Sequence, residues 1–63
     1  MTYREVIKLL RDDGWTLERT VGSHMQFRHR DKRGTVTLPA GGKLTKHVPR
    51  GTLNSILKQA GLK

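Results

Sequence analysis

His24 is the residue of this chain best placed to move a proton. It follows Gly22 and Ser23 and heads the run Met25, Gln26, Phe27, Arg28, His29. A glycine ahead of an alternating run marks a turn that feeds a strand, so His24 stands where a turn delivers a side chain to a sheet. An imidazole, with an unperturbed pKa of about 6.5, populates both protonation states near neutrality and can act as base or as acid. In a chain of formal net charge +8, that points to acid–base chemistry on a phosphodiester. Gly-Ser-His-Met also occurs as the remnant of a cleaved tag, but such remnants lie at a terminus. Here residues 22–25 lie inside a continuous pattern.

RNA carries its own nucleophile, the 2′-hydroxyl. Cleaving it takes a base for that proton, an acid for the leaving 5′-oxygen and cations for the charged phosphorane. General acid–base help of this kind is worth on the order of 10² to 10⁴-fold. Arg28 alternates onto the same strand face as His24 and Gln26, and its guanidinium can grip two phosphate oxygens at once. Ser23 can donate to the phosphate or to the imidazole. The residue pattern alone favours an exposed His24 that only touches phosphate. His29 falls on the Met25 and Phe27 side, which favours a half-buried structural role. His47, beside Lys46 and near Arg50, suits phosphate contact better than proton transfer. Spacings of five and eighteen residues between the histidines, with no cysteine, match no zinc pattern, so neither a metal site nor a cofactor is expected.

The charge is unevenly placed. Residues 1–18 hold three Lys or Arg against four Asp or Glu, whereas residues 19–63 hold ten against Asp31 alone. An excess of this kind attracts phosphate backbones in a salt-dependent way. The densest run is Arg28, His29, Arg30, Lys32, Arg33, and a second group is Lys43, Lys46, Arg50. Ser23, Arg28, Arg30, Lys32, Arg33, Lys43, Lys46 and Arg50 are the expected phosphate contacts, with nucleic acid as the partner that the charge suggests. No apolar stretch approaches the roughly 18 residues of a membrane span, and no basic-then-apolar leader is visible, so a cytoplasmic location is expected.

The elements that must position these groups are few. Residues 1–63 make one domain, and a chain this short hides only about 60% of the surface its unfolded form exposes. Thr2 and Glu5 form a capping box, and Tyr3, Val6, Ile7 and Leu10 make one apolar helical stripe ending before Gly14, a helix over about residues 3–12. Trp15, Leu17 and Arg19 alternate in a first strand with the two apolar residues facing in; Trp15 reads as core rather than a stacking platform. Met25 and Phe27 face the core in a second strand, and Val36 and Leu38 in a third that Pro39 closes. Residues 39–49 form a loop with Leu44 and Val48 as anchors. Leu53, Ile56, Leu57 and Ala60 make a second helix, beginning at Pro49 or capped by Thr52, with Gly61 at its end. The fold class is therefore α+β, helix–strand–strand–strand–helix, a three-stranded antiparallel sheet with both helices on one face. This is the order of double-stranded-RNA-binding domains.

Residues along nearly the whole chain resemble the HicA toxin family, the RNA-cleaving partners of HicB antitoxins. They are Asp13, Gly14, Trp15; Gly22, Ser23, His24 with Phe27 and His29; the strand over residues 34–39; and Gly51, Thr52, Leu53 followed by Ile56 to Gly61. The resemblance implies metal-independent cleavage of messenger RNA, a catalytic histidine at His24 and neutralisation by a HicB-like antitoxin. Two departures stand out. Many members carry a histidine just after the strand-ending proline, where this chain has Pro39, Ala40, Gly41, and some have a second histidine where this chain has Met25. The rival from another class is a non-catalytic RNA- or DNA-binding module of the same fold.

Overall fold

Thr2 opens the first helix as its neighbours require. Its hydroxyl accepts from the Glu5 amide at 3.2 Å, and the Glu5 carboxylate accepts from the Thr2 amide at 2.7 Å. The bond from the Thr2 amide, followed by that from its hydroxyl, holds the Glu5 carboxyl below its ordinary range. The computed structural model describes residues 1–63, as α1 (Tyr3–Asp12), β1 (Trp15–Val21), β2 (His24–His29), β3 (Thr35–Leu38) and α2 (Arg50–Gln59). The next two α1 amides, of Tyr3 and Arg4, donate to the carbonyls of Lys46 and Leu44 at 3.0 Å each. The donors at the start of α1 are thus satisfied within the chain. At the end of α2 the amides of Gly61 and Leu62 return to the carbonyls of Lys58 and Leu57, a closed helix end. Helix α2 begins at Arg50, one residue after the Pro49 start, and Thr52 lies in its first turn rather than capping it.

The sheet runs in the order β1-β2-β3, all antiparallel. Phe27, Val36 and Leu38 are fully buried and meet Tyr3, Val6 and Leu10 of α1, Ile56 of α2 and Ala60 just past its end, so both helices cover one face. Trp15 belongs to the same core. The anchors Leu44 and Val48 pack against or within it, and so does Ala40, which sequence patterning does not pick out. Only eleven of 63 residues are buried, too few to orient every loop by packing alone.

One expectation needs correcting. Strict alternation from Trp15 would turn Leu17 and Arg19 toward the core. Instead Leu17 pairs with Phe27 and Arg19 with Gln26, an irregularity that leaves Glu18 unpaired. An extra residue of this kind is a β-bulge, and it reverses the phase of every residue after it. Arg19 and Val21 therefore lie on the outer face. Leu17 keeps the inner phase but is 39% exposed, because it sits on the edge strand outside the apolar cluster.

Half-buried polar ties lock the end of the sheet where β2 finishes. His29 contacts the Asp13 carbonyl through Nε2 at 2.6 Å, and its Nδ1 accepts from the amides of Asp31 and Lys32 at 2.9 and 3.2 Å. An Nδ1 that accepts assigns the ring proton to Nε2, which donates. The ring also meets Trp15 edge-on, with centroids 5.1 Å apart. This is the structural role expected of His29. Lys32 Nζ donates to Asp13 Oδ2 at 2.6 Å and to the Ala60 carbonyl at 2.9 Å. That bond from Lys32, helped by its charge and by the Trp15 indole N–H, lowers the Asp13 pKa.

A carboxyl whose folded pKa is depressed adds stability above its unfolded pKa and loses it as pH falls through the folded one. Thermal midpoints of the parent chain and of Asp13→Asn should therefore differ most at neutral pH. The gap should narrow below about pH 4, where carboxylates begin to protonate. A gap that stays constant down to about pH 2, below the ordinary carboxyl range, would remove the Lys32–Asp13 pair from any stabilising role.

Candidate active site

The turn that presents His24 is as short as a hairpin allows. Val21 pairs with His24, so only Gly22 and Ser23 make the connection. Gly22 has φ +59 and Ser23 does not take a positive φ, which matches a type II′ turn, with glycine required at its first central position. His24 is exposed at the head of β2, and the register puts Gln26 and Arg28 on its face, opposite Thr37 and Thr35 of β3. That outer face carries no helix, but it is not bare beside His24. Helix α2 overhangs the β3 edge, and His24, Thr37 and Pro39 share a groove of about 380 Å³ with Gly51, Thr52, Ser55 and Gln59. Gln59 fixes this wall. Its Oε1 accepts from the Thr37 amide and its Nε2 donates to Ser55 Oγ, both at 3.2 Å.

The first turn of α2 differs from that of α1. Pro49 offers no side-chain cap, and no acidic residue lies in the turn. The amides of Arg50, Gly51 and Thr52 donate to no group in the chain. Their partial positive charge opens beside the groove, an arrangement that favours an anion.

The loop over residues 39–49 is pinned to the same end of the molecule. The Gly41 amide donates to the Ser23 carbonyl at 3.0 Å, and the Val48 amide to the Met1 carbonyl at 2.8 Å. Gly41 has φ +52, and a Cβ there would stand 2.9 Å from Ser23 Cβ. The loop thus lies against the turn that carries His24, and with it come Lys43, Lys46 and Arg50, all exposed. His47 is exposed and bridges to Thr2.

The eight expected contact residues fall into two groups. Ser23, Lys43, Lys46 and Arg50 belong to the His24 end. Arg30, Lys32 and Arg33 follow the far end of β2, about 17 Å away at roughly 3.3 Å per strand residue. Arg28 lies between, 60% exposed, with its Nε 3.8 Å from Glu18 Oε2. Lys32 departs from the expectation of phosphate contact, because Asp13 and the Ala60 carbonyl already hold its ammonium. Sequence reasoning missed two features of the site. The polar stripe Thr52, Ser55, Gln59 recurs at helical spacing and was legible as a face. Arg19 reaches the outer face only through the bulge, which no residue type announces.

No group of three His, Cys, Asp or Glu side chains converges anywhere in the chain. No second imidazole lines the groove. Comparison with protein-family models matches the HicA toxin of bacterial toxin–antitoxin systems over residues 3–62. The chain belongs to the HicA toxin family. No curated protein matches it. Membership carries a toxin role within a toxin–antitoxin system. Both departures noted from other HicA toxins now have a physical setting. Ala40, after the strand-ending proline, is fully buried in the core, and Met25 packs against the core on the face away from His24. No helix is long and apolar enough to cross a membrane.

Gly41→Ala tests how the loop is held. Left-handed backbone at a non-glycine residue costs about 1–3 kcal/mol, and the added methyl also presses on Ser23. The variant should melt earlier and shift the amide resonances of Ser23 and His24. Unchanged resonances there would separate the loop from the turn.

Proposed function

We propose that this HicA toxin is a metal-independent endoribonuclease acting on messenger RNA, with His24 as its proton-transfer group. The observation that carries the reading is the position of His24. It is an exposed imidazole on a tight turn, in a groove whose other wall begins with the open amides of α2, in a chain with thirteen Lys or Arg against five Asp or Glu. The element order shared with double-stranded-RNA-binding domains supports the same substrate class.

In this mechanism the scissile phosphate lies over His24, where the groove opens. His24 takes the proton of the 2′-hydroxyl as that oxygen attacks phosphorus. The bond to the 5′-oxygen breaks, leaving a 2′,3′-cyclic phosphate on one fragment. The departing 5′-oxygen takes a proton from water, and the imidazolium returns its own to solvent. Cations and amides at the His24 end stabilise the charge that builds on phosphorus. Ser23, Lys43, Lys46 and Arg50 hold the backbone near the reacting bond, and Arg28 meets it midway along β2. Arg30 and Arg33 meet the strand farther along, after it has crossed the outer face. A HicB-like antitoxin neutralises the toxin by covering His24 and this basic surface.

His24→Ala should abolish toxicity and lower RNA cleavage by at least about 10²-fold. The fold should survive, since a surface substitution shifts stability by only about 0.5 kcal/mol. Excess EDTA should leave cleavage by the parent chain intact, and DNA of the same sequence should resist it for want of a 2′-hydroxyl. Undiminished cleavage by folded His24→Ala would falsify the mechanism, and RNA binding without cleavage by the parent chain would mark a non-catalytic module.

The two basic groups should separate by substrate length. Neutralising Lys43, Lys46 or Arg50 should weaken binding of any RNA and lower its salt slope by about 0.7 for each phosphate that the protein no longer neutralises. Neutralising Arg30 and Arg33 should weaken a long RNA but leave unaffected an oligonucleotide too short to span β2. Equal effects on both lengths would place all five on one short stretch of backbone.

A further inference from the structure

The bulge at Glu18 does more than bend an edge strand. Without it, Arg19 would carry the phase of Trp15 and Leu17 and point toward the core. With it, Arg19 pairs with Gln26, and its Nε donates to Gln26 Oε1 at 3.3 Å on the outer face. Gln26 is two residues from His24 and shares its face, so Arg19 is the diagonal cross-strand neighbour of His24, within reach of a long side chain. Arg19 has no acidic partner, whereas Arg28, the other arginine on this face, is paired with Glu18. His24 therefore stands between two dissimilar flanks. The α2 groove lies on its β3 side, and an unpaired guanidinium lies on its β1 side.

We propose that Arg19 grips the non-bridging oxygens of the scissile phosphate while His24 acts on the 2′-hydroxyl. This inference rests on the reading of His24 as the proton-transfer group. The Gln26 carbonyl oxygen holds the guanidinium through Nε. The two terminal nitrogens stay free to present a planar fork, which matches two phosphate oxygens. Charge on those oxygens is greatest in the phosphorane, so the contact strengthens as the reaction proceeds and acts on rate more than on affinity.

The test compares single-turnover cleavage of one RNA at saturating protein by the parent chain and by Arg19→Ala, Arg19→Lys, Lys8→Ala and His24→Ala. Lys8 is a matched control: it is exposed on α1, which packs against the other face of the sheet, and its only ion pair is with Asp12. Arg19→Ala should slow cleavage at saturation by at least tenfold with its melting midpoint preserved. Arg19→Lys should recover only part of that loss, and Lys8→Ala should stay within twofold of the parent. If Arg19→Ala cleaves within twofold of the parent while His24→Ala is inert, the Arg19 assignment falls and the His24 reading stands. If the Arg19→Ala deficit is confined to affinity and disappears at saturation, Arg19 serves general backbone attraction and its grip on the scissile phosphate is refuted. If His24→Ala itself cleaves normally, the underlying reading fails first.

Discussion

Lys32 sits where three pieces of chain come to an end. Asp13 closes α1, Ala60 closes α2, and Lys32 itself belongs to the connection between β2 and β3. Its ammonium bonds to the first two while His29 holds the amide of the third. A cation at two helix C-termini also meets the negative ends of both helix dipoles. With only eleven buried residues, apolar packing determines which faces meet but is a weak guide to how the elements are rotated. The ties at Lys32 and His29 supply that direction. Both helices are thereby fixed at their C-terminal ends, so their N-terminal ends, and the loop bonded to the start of α1, occupy the opposite pole in a fixed relation to the Gly22–Ser23 turn.

The separation of poles resolves a conflict that small domains face. Groups that stabilise want satisfied partners, while groups that bind an anion want unsatisfied ones. Here the satisfied set gathers at the end of β2 and the unsatisfied set at its beginning. Asp13, His29 and Lys32 spend their bonding capacity on one another and on backbone. The side chains of His24, Lys43 and Lys46 and the first amides of α2 leave theirs unused within the chain.

Much of this is legible in the residues alone. Thr2 and Glu5 announce a helix start because a capping box is local, and Gly22–Ser23 announces a hairpin because the turn needs a glycine. Phe27, Val36 and Leu38 are readable from strand alternation, and His29 from its phase. What escapes depends on contacts distant in sequence. Residue type marks Lys32 as a solvated cation, and only the meeting of two helix ends reveals that it is tied. The bulge at Glu18 is set by how β1 and β2 settle against each other, so Arg19 reads as inward. The groove at His24 needs α2 to pass beyond β3, and the tilt of a helix across a sheet is not encoded in either element alone. Ala40 looks like loop because one small apolar residue between Pro39 and Gly41 has no period to reveal it.

The sheet has two lateral edges, and each is a row of backbone groups that another chain could extend. At β3 the Gln59 side chain occupies the Thr37 amide, a donor that an incoming strand would need. At β1 the bulge breaks the regular spacing, and the charged pair Glu18 and Arg19 stands at the break. Neither edge presents an unbroken template. A protein this small, with so little buried surface to protect it when it opens, gains from edges that resist strand-by-strand pairing.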